Sequence, residues 1–426
     1  WGWVRHGGGE LAQCIAIPQN RLMYCRFIIA LLLLAFIFPD AWSASLDVEQ
    51  TTAMRLIARG EIFSWPALQT EQVSAIHAKA EAYLTRYQDN HLPHGINADI
   101  LWADYDRSGV AALKGLGDGA IWTGHYLAAL SLRYSITAEP DVKVEISKVL
   151  ATFTQLAKVS GIQGYVTRYA GPADDPAYQA YYVQYGGESR WRDGLGLRAF
   201  PGVSPHEDLV WLGHSSRDTY DGILFGVGTL WAYVEDEGLR EEAQALINLI
   251  GDHLVAHRFV ISDGRTGVEL PSLQWGLTWM RLLMSVSPER YKGLYFKHAL
   301  WSWVFRNIYG LHPRSKYADD YYPNNLDMTR MLTLCNLETN LDIREQYQDM
   351  LRKAWSTHFK THLNAHFAAI YLLATGDEDT VATATIEGML LDFPEEKWLK
   401  AVDHRGDAGL VMHDADYAEH AFLISE

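Results

Sequence analysis

The sequence predicts an all-α protein, an α/α toroid of paired antiparallel helices with long strand-containing loops gathered at one end. Three observations predict it. Apolar residues recur at helical spacing in segment after segment of the 426-residue chain. The segments alternate between nearly uncharged ones rich in Gly, Ala, Trp and Leu and amphipathic ones with Glu and Arg on one face. Two connections, residues 89–117 and 160–216, are much longer than the turns elsewhere.

The chain begins with residues 1–22, which contain no Met and read as upstream sequence translated in frame, with Met23 as the start. A secretory signal follows: Arg26 supplies the positive region, residues 27–38 (FIIALLLLAFIF) the apolar one, and Ala41-Trp42-Ser43 a small-x-small cleavage site before Ala44. The apolar run falls short of the ~20 residues that span a membrane. The expectation is a periplasmic or secreted protein, with residues 1–43 removed, 44–426 forming one domain, and no stable membrane insertion. Cys14 and Cys25 leave with the signal and Cys335 remains alone, which excludes a disulfide framework and a Cys-based zinc site.

Helical periodicity covers residues 47–60, 70–88, 118–136, 140–159, 217–234, 238–257, 271–286, 288–309, 323–338, 341–357, 361–375 and 378–393. Short links at 137–140 and 235–238 make their flanking helices antiparallel neighbours. The low-charge segments 118–136, 217–234, 271–286, 323–338 and 361–375 read as an inner layer, and segments such as 239–257 (LREEAQALINLIGDHLVAH) as an outer one. Inner helices then run parallel, and their N-termini meet at one end. Within the longer connection, residues 165–169 and 178–185 (YQAYYVQY) read as short strands.

A net charge of −16 disfavours nucleic acid as a partner. Aromatics make up 12% of the chain, with 15 Trp and 23 Tyr, enough to fill a core and also to line a site that stacks on flat ligand faces.

Chemistry concentrates at the inner-helix starts. Asp118 and Asp218 each open such a helix after a long loop, and glycosidic hydrolysis needs two carboxyl groups across a sugar, one acid and one base or nucleophile. The competing role of each is that of an N-cap or first-turn acid. Trp122, His125, His214, Arg217, Tyr220, Asp221, Trp275, Asn325, His362 and His366 gather around that pair as substrate-binding candidates, with Trp122, Tyr220 and Trp275 as stacking platforms. Asp208 and Asp221 compete with Asp218 for its role. Arg168, Arg190, Arg192 and Arg217 could grip a carboxylate substrate.

His362 and His366 have the i, i+4 spacing of two metal ligands but lack the Glu of HExxH, and His253 and His257 share the spacing on an outer helix. Hydrogen bonding is the stronger reading, and no metal or cofactor is expected. Asp319-Asp320-Tyr321-Tyr322-Pro323-Asn324-Asn325 reads as a helix entry rather than a calcium cluster. Gly-x-Ser-x-Gly is absent, and the glycines at 115, 117 and 119 sit in no βαβ context.

Residues 117–134 (GDGAIWTGHYLAALSLRY) and 215–227 (SSRDTYDGILFGV) resemble inner-helix segments of six-hairpin, α/α-toroid proteins of the glycosidase-like, bacterial exported type. The resemblance implies work on an oligosaccharide or polysaccharide, by hydrolysis or by β-elimination. The leading expectation is a glycoside hydrolase using Asp118 and Asp218. A polysaccharide lyase acting on a uronate through His214, Tyr220 and Arg217 is the alternative, and a non-catalytic glycan-binding toroid is a third.

Overall fold

The computed structural model of the chain describes residues 70–103, 107, 109–186, 198–309, 321–361 and 364–392. The signal sequence, the 47–60 segment, Arg190, Arg192, Asp319-Asp320 and His362 lie outside the described residues.

The described chain is mostly helical. Helix α1 (Thr70–Asn90) leads to an antiparallel hairpin of β1 (Asp99–Trp102) and β2 (Val110–Lys114). Helix α2 (Gly119–Thr137) ends where Ala138 turns left-handed at φ 53° and its N–H returns to the Tyr134 carbonyl; Pro140 then opens α3 (Pro140–Leu156). The long connection holds β3 (Tyr169–Pro172), α4 (Pro176–Gly186), β4 (Ala199–Pro201) and β5 (Leu209–Leu212), the strands forming an antiparallel sheet in the order β3-β5-β4. Helices α5 (Arg217–Tyr233) and α6 (Glu237–Ala256) follow. The Asp236 carboxylate caps α6 by accepting from the Leu239 N–H at 3.1 Å. A short hairpin of β6 (Ile261–Ser262) and β7 (Val268–Glu269) precedes α7 (Leu273–Val286). After α8 (Pro288–Tyr291) and α9 (Tyr295–Val304) come α10 (Tyr321–Leu337), α11 (Leu341–Thr357), α12 (Ala365–Thr375) and α13 (Thr380–Asp392). Asn340 caps α11 and Asn364 caps α12 through their side-chain oxygens.

Three sequence expectations change. Residues 178–185 belong to helix α4, because Asp175 Oδ1 accepts from the Ala177 and Tyr178 N–H groups and Pro176 pre-sets the first turn. The tyrosines that look alternating include Tyr178 and Tyr181, three apart and both buried on one helix face. Strand β3 starts only at Tyr169; of residues 165–168 before it, Arg168 donates its N–H to the Leu212 carbonyl of β5 and Thr167 to the Leu156 carbonyl. The 288–309 segment is not one helix: a 3₁₀ turn at Lys292–Leu294 separates α8 from α9, and a π turn at Phe305–Tyr309 follows.

Packing centres on the pair α2 and α5. A Cβ at Gly124 would lie 1.9 Å from the Gly222 carbonyl oxygen, and one at Gly222 would lie 2.1 Å from the Ala120 oxygen. Only glycine permits this main-chain contact. Helix α5 also packs on α7 and α10, α10 on α7 and α12, and the helices α3, α6, α11 and α13, the first three of them amphipathic, flank this set. Core side chains such as Tyr220, Leu224, Trp275 and Trp279 are sealed between these helices.

Candidate active site

The main-chain contact between α2 and α5 brings their N-terminal turns together. Asp118 sits just ahead of α2 with φ −111° and ψ 6°, and its carboxylate makes no capping bond. Asp218 is the second residue of α5, behind Ser216, which also makes no side-chain cap. The first turn of α10 adds Tyr322. Its phenol oxygen lies 3.3 Å from Asp218 Oδ2 and 3.5 Å from Asp118 Oδ1. Two oxygens sharing one neighbour at these distances are at most about 7 Å apart, on the ~5–9.5 Å scale of carboxyl pairs that act across a glycosidic bond.

A phenol carries one proton. Tyr322 offers that proton to the two carboxyls, nearer to Asp218 at 3.3 Å than to Asp118 at 3.5 Å. Asp118 is suited to stay protonated, because burial pushes its carboxyl up. The Arg168 guanidinium opposes this, the Asp218 charge adds to it, the Tyr322 hydrogen bond opposes it in turn, and Asp99 gives a smaller push upward. Tyr322 is raised far above the usual phenol range, first by burial and then by the two aspartates, so it stays protonated.

Arg168 ties the two approach loops to each other. Its Nε donates to the His214 carbonyl at 2.5 Å, and a terminal nitrogen donates to the Gly117 carbonyl at 2.8 Å. Gly117 directly precedes Asp118, and His214 leads into α5. His214 adopts φ 58°, its N–H donates to Thr266 Oγ1 at 2.6 Å, and its ring Nδ1 lies 3.0 Å from the Thr266 carbonyl. The Ser215 hydroxyl donates to the Val166 carbonyl at 2.5 Å. The carboxylates therefore stand on braced loops.

One turn further into α5 the charges are paired. Arg330 donates to both oxygens of the buried Asp221, and donates to Asp327 Oδ1 at 2.9 Å. Burial pushes the Asp221 carboxyl up while the bidentate guanidinium pulls it down. Gln274 Nε2 donates to the Asp327 carbonyl at 3.2 Å, which links α7 to the same layer.

Beside Tyr322 opens a cavity of about 480 Å³, lined by Trp122, His125, Asn325, Asn364 and His366 and floored by Phe367. Its walls come from the N-terminal ends of α2, α10 and α12. Trp122 is 40% exposed, whereas Asn325 is 8% exposed. His125 Nδ1 faces the Ile121 carbonyl at 2.9 Å, so it carries the proton, and Nε2 accepts from Asn325 Nδ2 at 3.2 Å. The His125 and His366 rings lie 5.5 Å apart. Burial lowers His125, and it lowers His366 to about 4 with help from His125, so both rings are neutral at neutral pH.

The structure thus gathers Asp118, Asp218, Trp122, His125, Asn325 and His366 at one end of the helices. Tyr220 and Trp275 are corrections. Both are fully buried, Tyr220 accepting from the Val166 N–H and Trp275 donating its indole N–H to the Arg217 carbonyl, so neither offers a face for stacking. Asp221 is likewise corrected: sealed under Arg330, it has no open side for a ligand. Arg217 lies 3.5 Å from Glu269 in a half-exposed ion pair, and the His214 ring nitrogen faces the Thr266 carbonyl. Arg168 serves main-chain carbonyls and holds the loops. Asp208 is exposed, remote in role from the carboxyl pair. Sequence reasoning passed over Tyr322 and Phe367. Tyr322 sat in a stretch read only as a helix entry, and its sole signal was its place in the first turn of an inner helix.

No protein-family model, curated protein or solved structure matches the chain. Among the described residues, no group of three or more His, Cys, Asp or Glu could hold a metal ion, and no helix is long and apolar enough to cross a membrane.

Proposed function

We propose that the protein is an exported glycoside hydrolase whose inner helices close into an α/α toroid, with Asp118 as general acid and Asp218 as its ionised partner. One observation carries the reading: a single phenol, Tyr322, contacts both carboxylates at the edge of a cavity. Asp118 protonates the departing glycosidic oxygen. Asp218 either activates a water or attacks the anomeric carbon. Tyr322 bridges the two carboxyls and donates more closely to Asp218, while burial and the Asp218 charge favour the proton on Asp118. Asn325, His125 and Trp122 orient the sugar.

The lyase alternative needs a basic Tyr or His beside a cation that neutralises a uronate. Burial of Tyr220 removes one of its residues, and the raised Tyr322 is a poor base. A screen of the protein against plant, algal and bacterial glycans separates the readings. New reducing ends without ultraviolet absorbance, lost in Asp118→Asn, support hydrolysis. Reducing ends with absorbance of an unsaturated product would overturn it in favour of β-elimination, and no turnover on any glycan would leave a binding toroid.

A further inference from the structure

The lining of the cavity allows a narrower statement about what enters it. We infer that the cavity beside Tyr322 takes an uncharged glycosyl unit, its ring laid on the Trp122 indole and its hydroxyls met by the amide and imidazole groups of Asn325 and His366. The inference rests on the carbohydrate reading above and names the substrate class of the same site.

Four features lead to it. First, the size of about 480 Å³ falls in the ~300–1,000 Å³ range of small-molecule sites. Second, among the described residues that line it, none carries a formal charge, since both imidazoles are neutral and the rest are aromatic or amide groups. Third, Trp122 is a large apolar face left 40% exposed in the wall of a cavity. Apolar C–H faces of sugars stack on such rings. Fourth, Asn325 is more than nine-tenths buried, and its Oδ1 has no hydrogen-bond partner. Its amide nitrogen is already committed to His125. His366 Nε2 also has no partner. Buried polar atoms left unpaired are costly, and neutral hydroxyls both donate and accept, so one vicinal pair of hydroxyls can answer an acceptor and a ring nitrogen together.

A uronate or phosphate fits poorly. A carboxylate moved into such a cavity needs a guanidinium or ammonium partner. Arg168 donates to the Gly117 and His214 carbonyls, and Arg330 to Asp221 and Asp327. Asp118 and Asp218 stand at the edge of the cavity through Tyr322, and a negative charge on Asp218 repels a second anion.

Ligand-observed saturation-transfer NMR on the full chain tests this. The probes are millimolar methyl glucoside, galactoside, mannoside and xyloside, with methyl glucuronoside as the charged comparison. The expected result is saturation of at least one neutral glycoside, weakened roughly ten-fold by Trp122→Ala, and a weaker response from the glucuronoside. Trp122 is half-exposed, and circular dichroism of the variant checks that it folds. Equal or stronger binding of the glucuronoside overturns the inference, as does binding that ignores Trp122→Ala, or no binding by any of the five. Neutral glycosides that bind through Trp122 while every glycan stays intact would leave the subsite standing and remove the hydrolase. Glycan cleavage that Asp118→Asn abolishes and Trp122→Ala spares would do the reverse.

Discussion

Asp218 and Asp221 are three residues apart on the same helix, yet they live in opposite electrostatic settings. Asp221 is sealed and bound by both arms of the Arg330 guanidinium. Asp218 meets a phenol and, through it, another carboxyl. The deeper layer satisfies its charges and holds α5 to α10. The outer layer leaves two carboxyls near each other with one phenol between them. The contrast teaches that a counter-charge, more than burial or position in a helix, separates a scaffold acid from an acid available for chemistry.

The contrast can be broken in order of expected effect. Asp118→Asn should lower turnover on any cleaved glycan by ~10²–10⁴-fold, the usual worth of a general acid. Its melting temperature should be unchanged or higher, because a partly buried carboxyl beside the like group of Asp218 is replaced by a neutral amide. Calorimetry and a reducing-end assay read the two effects on one preparation. Arg330→Met should act the other way round, destabilising the fold by ~3–5 kcal/mol because Asp221 is left buried and unpaired. Adding Asp221→Asn to it should recover part of that loss in a denaturant titration. No recovery would mean that Arg330 matters for its packing and not for its pairing.

Gly124→Ala should cost about 3 kcal/mol or more, since the new methyl meets the main chain of α5 and neither backbone can step aside. Activity should fall with stability, because the carboxyl spacing depends on that crossing. Tyr322→Phe should lower turnover by ~10–100-fold, the worth of one hydrogen bond to a charged group, and leave the melting temperature nearly unchanged.

The smallest effect is a shift in pH profile. In the proposed hydrolysis Asp118 acts while protonated, and its pKa is raised, so activity should be lost as pH rises through that folded value. The same sign applies to stability. A raised carboxyl binds its proton more tightly in the folded state, so stability falls as pH climbs from the ordinary carboxylate range to the raised value. Arg168 pulls Asp118 down, so Arg168→Gln should move the alkaline limb to higher pH. An unmoved limb would show that Asp118 is not the group being titrated.

Much of the helical framework was readable in the residues. Inner segments 118–136 and 217–234 lie within one or two residues of α2 and α5, because apolar residues at helical spacing have one stable place in a folded chain. Asp118 and Asp218 were readable as helix-opening acids. Their nearness was not, since it depends on Gly124 and Gly222 touching across 97 intervening positions, and a glycine in a helix looks like a weakness until its neighbour is known. Tyr220 and Trp275 were misread for a related reason. An aromatic beside a polar loop belongs to either face, and only the packing of α5 on α7 decides that both turn inward. Tyr322 carried no pattern of its own; the two aspartates it touches come from over a hundred residues upstream.

Under the proposed hydrolysis, the glycine crossing has a consequence for which molecules the site could come to accept. Main-chain atoms set how closely the two acid-bearing helices cross, so trimming the side chains that line the cavity would not part them. Adaptation to larger or branched molecules would fall to the outer rim, where Trp122 stands half in solvent and can be exchanged without disturbing the frame.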